Sequence, residues 1–173
     1  MKFFSILLST FFLFGCFGSK PEHKALPARA KTCDSPHAII TPPTIKAEEK
    51  NDLAITPEKV KEGLNYLIQD GCLVIGEGAD AYSLDISYES ELHQQQVSLL
   101  VVSDEENTAK LTIEATLKKQ GVTRTFKSTK NISHKGKKIL GIGSNTEITK
   151  DDIDELLNST LLNVYDQILK NIK

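Results

Sequence analysis

Between Thr56 and the C-terminus the apolar residues follow two different periods. Val60, Leu64, Leu67 and Ile68 recur at helical spacing behind Thr56-Pro57-Glu58, an N-cap residue, a proline at the first helical position and an acid in the first turn. Gly71 stands where the chain turns out of that helix. Cys72–Ile75 reads as a short buried strand. Tyr82, Leu84, Ile86 and Tyr88 then alternate with Ser83, Asp85, Ser87 and Glu89, which predicts a strand with one buried face. Val97–Val102 is nearly continuously apolar and is expected to be a further, central strand. Asp104-Glu-Glu-Asn107 is expected to turn the chain.

Leu111, Ile113, Ala115 and Leu117 alternate with Lys110, Thr112, Glu114, Thr116 and Lys118, and Gln120-Gly121 turns the chain into Val122–Lys130. His134-Lys-Gly-Lys137 reads as another turn and Lys138–Ile142 as a last short strand. Thr149 and Asp152 approximate a capping box, and the face Ile153, Leu156, Leu157, Leu161, Val164, Ile168 and Ile172 defines a long helix. Leu162 and Leu169 widen that face. Short connections favour an antiparallel meander, because parallel strands need crossovers of roughly a dozen residues or more. The expected fold class is α+β, an antiparallel sheet of five or six strands packed by an N-terminal helix and a long C-terminal amphipathic helix, over residues 52–173.

Upstream the periodicity disappears. Residues 17–51 are rich in Pro, Lys, Glu and Ala, and five of the six prolines fall between Pro21 and Pro43. Such a composition buries too little apolar surface to offset ordering entropy, so residues 16–51 are expected to be a tether. Ala38-Ile39-Ile40 and Ile45 could add a short strand, which Pro42-Pro43 would end. Lys20, Lys24, Arg29 and Lys31 suit either a solvated linker or attraction to anionic headgroups.

Residues 1–15 form Met-Lys and an apolar run, the n-region and h-region of a secretory signal. The run is shorter than the ~20 residues a helix needs to cross a bilayer. Leu13-Phe14-Gly15-Cys16 resembles the lipobox of bacterial lipoproteins. That resemblance implies a diacylglycerol on the Cys16 thiol, cleavage before Cys16 and acylation of the new amino group. Phe17 rather than Asp follows, which by resemblance to Gram-negative lipoproteins implies export to the outer membrane.

With Cys16 acylated, Cys33 and Cys72 remain in a compartment where disulfides persist, and a bridge between them is expected. The competing reading recruits Cys33-x-x-x-His37 and Cys72 with His93 or His134 to a metal, on spacing that matches no paired motif. Gly76-Glu-Gly-Ala-Asp-Ala81 formally matches a dinucleotide fingerprint, but a strand rather than a helix is expected after it, so no cofactor is expected. Gly141–Thr146 lacks the lysine and spacing of a P-loop. Asp80, Asp85 and Glu89 could be taken as paired carboxylates, though a solvated strand face explains Asp85 and Glu89. With a net charge of −2 and no basic excess, a nucleic-acid partner is not expected.

Leu64-x-x-Leu67-x-x-x-Gly71-Cys-Leu-Val74, Tyr82-x-Leu84-x-Ile86, Leu111–Leu117 and the closing helix together resemble small outer-membrane lipoproteins of the YajG type and the lipopolysaccharide-assembly lipoprotein. The resemblance implies a non-enzymatic envelope protein, lipid-anchored on the periplasmic side of the outer membrane and binding an envelope protein or glycolipid. The alternative is a surface-exposed lipoprotein that binds host or environmental ligands. In cells, Cys16→Ser should leave an unlipidated, uncleaved precursor, visible as a larger band and as loss of fatty-acid labelling; normal processing would contradict the lipobox assignment.

Overall fold

The computed structural model describes residues 38–71, 73–98, 101–140 and 142–172. In chain order its elements are β1 (Ala38–Ile40), β2 (Thr44–Asn51), α1 (Pro57–Asp70), β3 (Leu73–Ile75), β4 (Ser83–Ser98), β5 (Val102–Lys119), β6 (Val122–Ile139), β7 (Ile142–Gly143) and α2 (Lys150–Asn171). β1 and β3 form a small parallel pair, and the main sheet has the order β2-β4-β5-β6-β7. The α+β class with an early helix and a long C-terminal helix is the expected one. The sheet is mixed, however: β2 runs parallel to β4, and the other pairs are antiparallel.

Parallel pairing enters because α1 serves as a crossover. It lets β1 and β2, which precede it, lie beside β3 and β4, which follow it. Residues 38–51, expected to belong to the tether, are therefore part of the fold. Pro42-Pro43 does separate β1 from β2. Ala38–Ile40 forms the short strand its sequence allowed, whereas of β2 the sequence offered only Ile45, because it is an edge strand whose only half-buried apolar residues are Ile45 and Ala47. Residues 1–37, with the expected signal and most of the tether, lie outside the described residues.

Both helix starts form as their sequences require. The Thr56 hydroxyl accepts from the Lys59 amide, and Thr149 and Asp152 complete a reciprocal capping box. The turn between β2 and α1, where Ala54 has φ 51°, is held by a buried polar cluster. Asn51 exchanges hydrogen bonds with the Ile55 backbone, the Ser90 hydroxyl accepts from the Leu53 amide, and the Tyr88 hydroxyl donates to the Ile55 carbonyl at 2.7 Å. Each such bond contributes about 1 kcal/mol, and each would cost more if one partner were removed.

The core lies between the helices and one face of the sheet. Leu84, Ile86 and Tyr88 of β4 and Leu111, Ile113, Ala115 and Leu117 of β5 meet Leu157, Leu161, Val164 and Ile168 of α2. This alternation is the one read from the sequence. Strand and helix lengths do not match. The 18 residues of β5 or β6 extend about 60 Å, while the 22 residues of α2 extend about 33 Å. Burial accordingly stops near Leu92 and Ala109, and the three strands continue beyond the helices as an arm.

The arm replaces two expected turns. Asp104–Asn107 lies inside β5 and His134–Lys137 inside β6, and the two tetrapeptides face each other residue for residue. Opposite charges make this a ladder: Lys138 Nζ lies 2.7 Å from Glu105, and Lys135 Nζ lies 3.1 Å from Glu106. The expected strand Val97–Val102 is where the chain reverses, with Ser98 paired to Ser103. Gln120-Gly121, expected as a turn, is one, with φ of 47° and 81°.

After β7 the chain passes beneath Gly136. A Cβ there would stand 2.5 Å from Thr146 Cγ2 and 3.1 Å from the Ser144 carbonyl oxygen. Thr146 is buried, accepts from Asn107 Nδ2 and donates to Glu105. Gly136→Val should therefore lower the urea midpoint, a loss of about 1–3 kcal/mol, because the crossing segment must move. Gly78→Val, whose Cβ meets only Ile39 Cδ1 at 3.8 Å, is the milder control in the same titration.

Candidate binding surface

The face of the main sheet turned away from the helices is polar and ordered by its own side chains. Thr108 pairs with Ser133, Thr112 with Thr129 and Thr116 with Thr125, hydroxyl to hydroxyl at 2.8, 3.1 and 3.5 Å. These pairs recur every four residues because each lies directly opposite its partner in the β5–β6 register. Lys118 and Asp85 close the same face at 2.8 Å.

Glu91 is the electrostatic centre of that face. His93 Nε2 lies 2.8 Å away, Lys50 Nζ 3.0 Å and Lys110 Nζ 3.6 Å. The hydrogen bonds from His93 and then Lys50 pull the Glu91 carboxyl down to about 2. Lys138 likewise lowers Glu105. At Asp152 burial pushes upward but is outweighed by the Thr149 hydroxyl and amide and by His134, so its carboxyl also ends below its ordinary value.

The far end of the arm has another character. Val97, Val101, Ile139, Leu140 and Ile142 are 64%, 56%, 56%, 76% and 82% exposed. They gather where β4 meets β5 and where β6 meets β7. Just below them a shallow groove of about 420 Å³ runs between Gln95, Val97, Asp104, Glu106, Lys135 and Lys137. These five include the most exposed large apolar side chains among the described residues, and such a cluster is what an interaction site presents. The sequence carried a signal here, the apolar run at Val97–Val102, which suited a buried strand equally well.

The tip is remote from β1, the first described strand. Ile40 bridges to Tyr82, and Thr41 N donates to the Tyr82 carbonyl at 2.8 Å, so β1 ends beside the start of β4. The 16 residues of β4 then place the tip about 50 Å away.

Cys16, Cys33 and Cys72 lie outside the described residues. His93 projects on the open face of β4 and pairs with Glu91, whereas His134 faces the helix side and stands 3.2 Å from Asp152. The structure therefore does not bring the two histidines together. Among the described residues no three His, Cys, Asp or Glu side chains group as metal ligands. Asp80, Asp85 and Glu89 are not assembled either: Asp80 accepts from Gln120, Asp85 pairs with Lys118, and Glu89 lies opposite Thr112. Gly76–Ala81 leads into β4 rather than a helix, as its sequence suggested. No helix among the described residues is long and apolar enough to cross a membrane.

No family model and no curated protein matches the sequence. Among solved structures, the chain is similar to a minor lipoprotein from Acinetobacter baumannii, with 14% identity over 78% of this chain and 94% of that one and a TM-score of 0.47. It is also similar to the rare lipoprotein B from Shewanella oneidensis, with 12% identity over 74% of this chain and 90% of that one and a TM-score of 0.43. No residue role, ligand or partner passes from either structure to this chain.

Depressed carboxyl values tie stability to acid. A group whose folded value lies below its unfolded one stabilises above the unfolded value and loses that effect as the pH falls. Urea midpoints should therefore decline between about pH 4.5 and the value near 2 of Glu91. In Glu91→Gln that decline should be shallower, and an unchanged slope would remove Glu91 from the acid response.

Proposed function

We propose that the protein is a lipid-anchored component of a bacterial envelope that acts without catalysis, holding a partner protein with the end of its three-stranded arm. The observation that carries this reading is the apolar tip, Val97, Val101, Ile139, Leu140 and Ile142, exposed about 50 Å from β1, the first described strand. Leu13-Phe14-Gly15-Cys16 supports the anchor, and Phe17 after it supports the outer membrane. Anchoring at one end and apolar contact at the other suit a spacer that reaches a partner away from its own lipid. The contact residues are aliphatic, so the contact is one of shape and burial, with few aromatic anchors for a very tight grip.

A photo-crosslinking residue at Leu140 in living cells should give one discrete adduct in the envelope fraction. Val101→Ser with Ile142→Ser should abolish that adduct, while stability stays within about 0.5 kcal/mol because both side chains are solvent-exposed. An adduct at no position of the tip would overturn the reading. Protection from protease on intact cells, lost on permeabilisation, is the expected companion result; digestion on intact cells would favour surface display.

A further inference from the structure

β6 borders the main sheet on the side where β7 pairs only with Lys138 and Ile139. Two contacts fix which of its backbone groups face outward. Leu140 N donates to the Val101 carbonyl at 3.0 Å, extending the β5–β6 ladder, so even-numbered residues direct their N–H and C=O to β5. Ile139 pairs with Ile142 of β7, so odd-numbered residues direct theirs to the edge. Gln167 Nε2 reaches the Lys127 carbonyl at 3.1 Å, which agrees. Thr129, Asn131, Ser133 and Lys135 continue this outward row and are exposed.

The edge is also charged in one sense. Arg124, Lys127, Lys130, Lys135, Lys137 and Lys138 lie within β6, whose 18 residues include no Asp or Glu, and of these Lys135 and Lys138 pair with Glu106 and Glu105 of β5. Cationic edges deter chance pairing of strands, and here they do so selectively. A second copy would set lysines against lysines. The chain's own upstream segment carries Lys20, Lys24, Arg29 and Lys31 against Glu22 and Asp34, and is repelled as well.

We propose that the β6 edge from Thr129 to Lys135, beyond the point where Gln167 of α2 takes the Lys127 carbonyl, receives an extended acidic segment of a partner protein as an added strand. The inference goes beyond the reading of the tip: the edge borders the helix-covered half up to Ile132, opposite Ala109, and enters the arm only at Ser133–Lys135. Backbone hydrogen bonds to the outward row supply the pairing, and carboxylates supply the selection. An anionic membrane is a poorer fit, because the cations divide between two faces. Lys127, Lys135 and Lys137 share the open face, while Arg124, Lys130 and Lys138 share the helix side. A strand in the plane of the sheet meets both rows, whereas a flat headgroup surface meets one.

The test uses the full chain in detergent micelles and a labelled peptide of about ten residues alternating Glu and Val, against its Lys-for-Glu counterpart. The acidic peptide should bind and the basic one should not. On binding, amide exchange should slow at Thr129, Asn131 and Ser133. Asn131→Pro, which removes an outward N–H that β5 does not use, should weaken binding by about tenfold or more. Lys127→Glu with Lys130→Glu should reverse the peptide preference. If Asn131→Pro fails to fold, the exchange measurement decides alone. Unchanged exchange at the outward amides, or binding to phosphatidylglycerol vesicles without binding to the peptide, would overturn the proposal. Either result leaves the crosslink at the tip unaffected, so the edge assignment and the wider functional reading fail separately.

Discussion

An α-helix advances about 1.5 Å per residue and a strand about 3.3 Å, and the architecture follows from that disparity. α2 is the longer helix, yet it covers little more than half of the strands it packs on. Where it lies over them, the alternate residues of β4 and β5 are mostly apolar and buried. Beyond it there is nothing apolar to pack against, and the inward positions become Asn107, Glu105, His134 and Lys138. The molecule therefore has a hydrocarbon-built half and an electrostatically built half that share the same three strands.

The second half depends on pairing within the sheet. Glu105, Lys138, Thr146 and Asn107 form one connected set, and Gly136 leaves the space through which the segment after β7 reaches it. Exposed ion pairs contribute little singly, with typical values of about 0–1 kcal/mol. Several in register, together with hydroxyl pairs on the opposite face, set which residues sit opposite each other more than they set total stability. A strand slipped by one residue would exchange the two faces and lose the whole set.

Local chemistry was legible in the sequence, while distant pairing was not. Thr56-Pro57 and Thr149–Asp152 announced the helix starts because a cap depends on three or four neighbouring residues. Tyr82–Glu89 and Leu111–Leu117 announced strands because one face is buried in each. Asp104–Asn107 and His134–Lys137 resembled turns because charge and glycine usually mark turns, and each becomes a strand only opposite the other. β2 was hidden for a related reason: its partner β4 begins 32 residues after β2 ends (83 − 51), and its outer edge is solvated. The tip was visible as an apolar run whose exposure depends on where the helices stop. The β6 edge was visible as composition, but its free backbone row follows from the sheet order.

The parallel pairing of β2 with β4 also has a temporal side. Thr44 lies opposite Asp85, 41 positions later (85 − 44), so a chain emerging N-terminus first exposes β2 well before its neighbour exists. The antiparallel strands β4, β5 and β6 need no such delay, since each follows its neighbour through a short reversal. The lysines and glutamates of β2, Lys46, Glu48, Glu49 and Lys50, keep the waiting segment hydrated.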